Sequence, residues 1–143
     1  MPQTYKTLEY QEQAIQELLQ KSKALLLLNK NIPLQYRTQL RLQAFTGAGK
    51  TYMMSRYVKE MADQPEFLNK KILFLFMTPG KGSLKEQSYH KFQSVINGSL
   101  KLIKDDELTS STLEESTVLF TNWEQSKIGN HYKDNETAYI FDI

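Results

Sequence analysis

The stretch AFTGAGKT, Ala44 to Thr51, constrains this chain more tightly than any other. It follows an alternating run, QLRLQAF at 39–45, that places Leu40, Leu42 and Ala44 on one face of a predicted strand. It precedes a helical pattern over 50–61. Gly47 and Gly49 let the backbone between strand and helix curl so that N–H groups of Gly47, Ala48, Gly49 and Lys50 turn inward at the positive end of the helix. Such a cradle holds an anion, and its spacing is that of a phosphate loop, with Ala44 where the stricter pattern has glycine. The expected nucleotide contacts are Thr46, Gly47, Ala48, Gly49, Lys50 and Thr51. Lys50 is assigned to the β- and γ-phosphates as a catalytic group, and the Thr51 hydroxyl to Mg²⁺.

A site of this kind needs a second carboxylate at the end of a neighbouring strand. Asp142 follows the apolar run AYIF at 138–141 and is the candidate, both as metal ligand and as catalytic residue. The expected cofactors are therefore ATP and Mg²⁺.

The remaining pattern alternates strands and helices. A helix is predicted over 8–20, with Thr7 or Thr4 as its cap. The run KALLLLN that follows either extends that helix or begins a buried strand before Pro33. KILFLFM at 71–77 is nearly continuous in apolar residues, as in a strand covered on both faces, and Pro79 and Gly80 end it. A helix from Ser83 to about Ile96, short strands at 100–103 and 117–120, and a last one at 138–141 complete the reading. The fold class is α/β, with a doubly wound, mainly parallel sheet carrying the phosphate loop of P-loop NTPases. One domain is expected over the 143 residues.

Composition excludes more than it selects. With no cysteine there is neither a disulfide nor a thiolate metal site, and His90 and His131 lack carboxylates at ligand spacing. The charge of +2, from 18 basic and 16 acidic residues, does not decide for or against nucleic acid. No run is long and apolar enough to cross a bilayer and no secretion signal opens the chain, so a cytoplasmic location with no membrane partner is expected. The acidic run Asp105-Asp106-Glu107 has no lysine motif beside it to suggest a nuclease and reads as a solvated loop.

Several short stretches together resemble the first motor lobe of superfamily 2 helicases and translocases, and in detail the helicase portion of type III restriction endonuclease Res subunits. LEYQEQA, from Leu8, resembles the glutamine motif, which implies that Gln11 (Gln13 being displaced from the Tyr-Gln pair) hydrogen-bonds an adenine edge. FMTPGKGSLKEQ at 76–87 resembles the next helicase motif and implies backbone contacts to nucleic acid from Thr78, Gly80 and Lys81. VLFTNWEQ, from Val118, narrows the resemblance to Res subunits. It implies strand contacts from Thr121 and Asn122, with Trp123 packing its loop or lying against a sugar or base.

The resemblance implies a three-layer α/β/α lobe of the RecA-like kind, and an ATP-dependent DNA translocase within a type III restriction-modification system, with DNA and a modification (methyltransferase) subunit as partners of the parent protein and its endonuclease domain further along. It also implies a glutamate after Asp142, where Ile143 stands. The chain is accordingly expected to be a partial lobe, cut at the second carboxylate strand, without the second lobe and its arginine finger and with negligible hydrolysis of its own. Another superfamily 2 helicase, a small P-loop kinase and a non-catalytic nucleotide-binding module are the alternatives. Gln11 upstream and Asp142 far downstream favour the motor.

Overall fold

A computed structural model describes residues 7–33, 36, 40–45, 47–67, 69–79, 83–96, 98, 100–107 and 115–122. Three helices and three strands are laid out along them. They are α1 (Glu9–Asn29), α2 (Lys50–Ala62), β1 (Leu73–Thr78), α3 (Leu84–Val95), β2 (Lys101–Lys104) and β3 (Thr117–Asn122).

The strands form one parallel sheet in the order β1-β3-β2. β3 is therefore central, which explains why Val118, Leu119 and Phe120 are all fully buried: a middle strand covered on both faces reads as an unbroken apolar run. Register aligns Phe76 with Phe120 and Leu102 with Val118, so the aromatic side chains of adjacent strands share the face on which Val58 of α2 and Phe92 of α3 pack. Phe92 meets Phe120 edge-on, with ring centroids 5.0 Å apart, and Phe76 lies equally close to Phe92. Leu73, Leu75, Ile103 and Leu119 make the apolar set of the opposite face.

α1 continues well past the predicted end at residue 20. The leucine run extends the helix because Ala24 to Leu28 are all strong helix formers and no glycine or proline intervenes before Pro33. Its inward face, Gln11, Ile15, Leu19 and Ser22, packs beside α2, with side-chain contacts from Glu12 to Arg56, Gln16 to Glu60 and Ser22 to Tyr57, and from Lys23 to Glu66 just past the end of α2. Leu26, Leu27 and Leu28 lie more than half exposed on the outer side.

Residues 40–45, predicted as a strand, form no ladder among the described residues. The alternation is expressed over 41–45, with Leu42 and Ala44 turned into the core beside Ile15 and Met53 while Arg41, Gln43 and Phe45 face out; Leu40, expected on the inner face, is 39% exposed. Side-chain period sets which way residues point; a ladder also requires a paired neighbour. The expected strand at 138–141 lies outside the described residues.

Candidate nucleotide site

The glycine turn sits at the head of α2, as its sequence requires. Gly47 and Gly49 have φ of 86° and 84°, in the left-handed region where a side chain is costly. Gly49 is the N-cap residue of α2, and the first helical bond runs from the Met53 N–H to its carbonyl at 2.9 Å. The Ala48 N–H closes a tight turn on the Phe45 carbonyl at 3.1 Å, so this donor of the expected cradle is already engaged. The first N–H groups of α2 have no intrahelical acceptor and receive no side-chain cap.

The charge at this helix start runs against the rule for a helix on its own. α1 opens with Glu9 and Glu12 and α3 has Glu86 in its first turn, each opposing the positive end of the helix. α2 has no acidic residue there and begins with exposed Lys50. A cation at a positive terminus is destabilising until an anion joins it. Gly47, Gly49, Lys50 and Thr51 line a cleft of about 470 Å³, within the size range of small-ligand sites.

The start of α1 holds this loop from behind. The Gln11 side chain is buried; its Nε2 donates to the Ala48 carbonyl at 2.9 Å, and its Oε1 accepts the Leu8 N–H at 3.0 Å. Tyr10 Oη donates to the same Ala48 carbonyl at 2.9 Å. Gln11 thus caps its own helix and braces the phosphate loop, leaving one amide N–H and one carbonyl lone pair for any further contact. Thr7 is not the helix cap. Its hydroxyl instead bonds the Tyr52 hydroxyl and accepts from Arg56 Nη1 at 2.8 Å. Arg56 also pairs with Glu12 at 3.1 Å and Glu60 at 2.6 Å. Partial burial works against the guanidinium's charge, but the hydrogen bonds with Glu60 and Tyr52 and the two carboxylates outweigh it and hold the pKa above its ordinary value.

The carboxyl edge of the sheet carries a second polar arrangement. Asp105, just past β2, accepts from Lys85 of α3 at 2.8 Å and from the Thr121 hydroxyl at 2.8 Å, and its side chain is 2% exposed. The acidic run is therefore only partly the solvated loop its sequence suggests: Asp106 and Glu107 are exposed, whereas Asp105 is buried because Lys85 and Thr121 satisfy both its oxygens. The Thr78 hydroxyl, at the end of β1, donates to the Thr121 carbonyl at 3.4 Å. Thr78 and Thr121 are both buried and Asn122 is half-buried. Thr46, Gly80, Lys81, Trp123 and Asp142 lie outside the described residues, as does the expected pairing of Asp142 with Thr51 at a metal. No group of three or more metal-ligating side chains occurs among the described residues, and no helix there is long and apolar enough to cross a membrane.

The Tyr10, Arg56 and Asp105 contacts were not foreseen from sequence. Apart from Glu60, four positions from Arg56 on the same helix, the partners that matter here, Ala48, Thr7 and Thr121, stand 16 to 49 positions away, and no local pattern marks them.

The family described as type III restriction enzyme, res subunit, matches residues 4–142, nearly the whole chain. The chain belongs to that family. No curated protein and no solved structure matches it. Membership in the res subunit family gives the P-loop, RecA-like fold to which the parallel sheet and the glycine turn belong. It makes the chain a helicase-like ATP-binding module of the type III restriction system family, with the ATPase and helicase class of hydrolase chemistry and nucleotide use which that family implies.

Proposed function

We propose that this chain is the nucleotide-binding part of the first motor lobe of an ATP-dependent DNA translocase, the restriction subunit of a type III restriction-modification system. The observation that carries the reading is the start of α2, a lysine-headed helix with no acidic residue in its first turn, preceded by two left-handed glycines and opening on a cleft. Its donors fit a polyphosphate: the N–H groups at the helix start, the Lys50 ammonium and the Thr51 hydroxyl. Thr46, Gly47, Ala48 and Gly49 form the loop, Thr51 and Asp142 hold Mg²⁺, and Gln11 adds its remaining amide valences at the base. A bound magnesium nucleotide supplies the phosphoryl group whose hydrolysis drives movement in motors of this class.

DNA, in this proposal, meets the carboxyl edge of the sheet through Thr78, Gly80, Lys81, Thr121 and Asn122. The Thr78 and Thr121 hydroxyls are engaged inside the protein, so their part is to shape the edge that presents the others. Cleavage and the modification subunit belong to the parent protein.

Calorimetric titration with Mg-ATP tests the reading. The unmodified chain binds and Lys50→Ala does not; an unchanged signal in the variant removes the phosphate-loop assignment. In the parent, DNA affinity falls steeply with salt if the sheet edge grips phosphates, and a flat salt response removes that contact.

A further inference from the structure

The cleft at the phosphate loop has a second wall. Opposite Lys50 and Thr51 it is lined by Gln87, Ser88 and Lys91 of α3, which at spacings of one, three and four fall on one face of that helix. Every other buried polar side chain among the described residues has a hydrogen-bond partner: Gln11 with Ala48, Ser22 with Tyr57, Ser55 with Tyr52, Thr78 and Thr121 as above, Thr117 with Glu115, and Asp105 with Lys85. Ser88 is 7% exposed, lines the cleft, and makes no side-chain hydrogen bond among the described residues. Its hydroxyl oxygen is not sealed from solvent: it opens on the cleft, where an incoming ligand oxygen can accept its proton.

We propose that this face of α3 is part of the nucleotide site, with Ser88 donating to an oxygen of the terminal phosphoryl group and Lys91 adding positive charge beside it. The inference rests on the reading of the cleft as a triphosphate site, and it assigns α3 the task of telling triphosphate from diphosphate. The phosphate loop holds a polyphosphate by backbone donors from one side. A hydroxyl and an ammonium on the facing helix reach an oxygen that only the longer ligand possesses, through charge-assisted hydrogen bonds that are stronger than neutral ones. The Gln87 amide is held at the rim by its Nε2, which donates to Ser83 Oγ at 2.9 Å.

The test is titration of the full chain with Mg-ATP and with Mg-ADP, each against Ser88→Ala, Ser88→Thr, Lys91→Gln and Lys50→Ala. Ser88→Ala and Lys91→Gln each weaken ATP by about tenfold and leave ADP within about twofold, as expected for losing a hydrogen bond to a charged group. Ser88→Thr keeps ATP binding. Equal losses for both nucleotides, or no loss for either, overturn the assignment while the Lys50→Ala result still supports the phosphate loop. Should Ser88→Ala prove unfolded by circular dichroism, Lys91→Gln, half-buried on the same face, decides alone. If the unmodified chain binds neither nucleotide, the triphosphate reading and this inference fall together.

Discussion

The side-chain amide of Gln11 donates to the carbonyl of Ala48 at 2.9 Å, joining the first turn of α1 to the peptide between the two glycines of the phosphate loop. That bond makes a residue expected at the base end of a nucleotide part of the support for the phosphate end.

Replacing Gln11 tests the brace. Gln11→Ala removes two hydrogen bonds and leaves the Leu8 N–H without its cap, although Tyr10 still serves the Ala48 carbonyl. A loss of about 1–3 kcal/mol is expected in chemical denaturation. Gln11→Glu, which turns a carboxylate toward that carbonyl in a buried setting, is more damaging than alanine. Equal stability of the two variants would remove the amide's role as donor.

The two loop glycines respond differently to a methyl group. At Gly47 an added Cβ meets nothing within 4 Å, so Gly47→Ala bears only the left-handed backbone penalty of about 1–2 kcal/mol. At Gly49 the same atom falls 2.5 Å from Gln11 Nε2, so Gly49→Ala adds displacement of the brace to a similar penalty. The expected order in melting temperature is wild type, Gly47→Ala, then Gly49→Ala. The pair Gly49→Ala with Gln11→Ala loses less than the sum of its parts.

Asp105 supports the far end of the sheet. Asp105→Ala leaves the Lys85 ammonium, 18% exposed, without its partner and costs about 3–5 kcal/mol, as expected when one member of a buried ion pair is removed. Thr121→Val is milder, about 1–3 kcal/mol, since one carboxylate oxygen loses its donor while Lys85 remains. Urea unfolding of both variants and of the double substitution measures the coupling. Strict additivity would show that the three side chains do not act together.

Along α1, Leu19 is 5% exposed and Leu27 79%. Leu27→Gln should therefore stay within about 0.5 kcal/mol of wild type, and Leu19→Ala should lose about 2–5 kcal/mol. A large loss at Leu27 would return that run to the buried strand its composition equally allows.

Much of the framework was legible because period and composition agree locally. The glycine turn predicted the start of α2, KILFLFM predicted β1, and the bounds of α3, β2 and β3 fall within a few residues of expectation. The family was legible from the same short stretches. α1 was underestimated because four leucines satisfy either secondary structure, and only packing beside α2 chooses between them. The unladdered course of residues 40–45 depends on which strands sit beside them, which no window of sequence contains. Gln11 was placed by its motif, yet its bond to Ala48 comes from how α1 lies on α2. Asp105 was misjudged because three consecutive acids look solvated until Lys85, 20 positions earlier, is folded against the first of them.

Arg56 gives the helix pair a mechanical character. Its guanidinium reaches Thr7 and Glu12 at the head of α1 while Glu60 fixes it to α2, so the head of α1 is pinned to the middle of α2. Sliding α1 along α2 would strip that guanidinium of acceptors on one helix while it stayed bound to the other, so the pair resists a change of register.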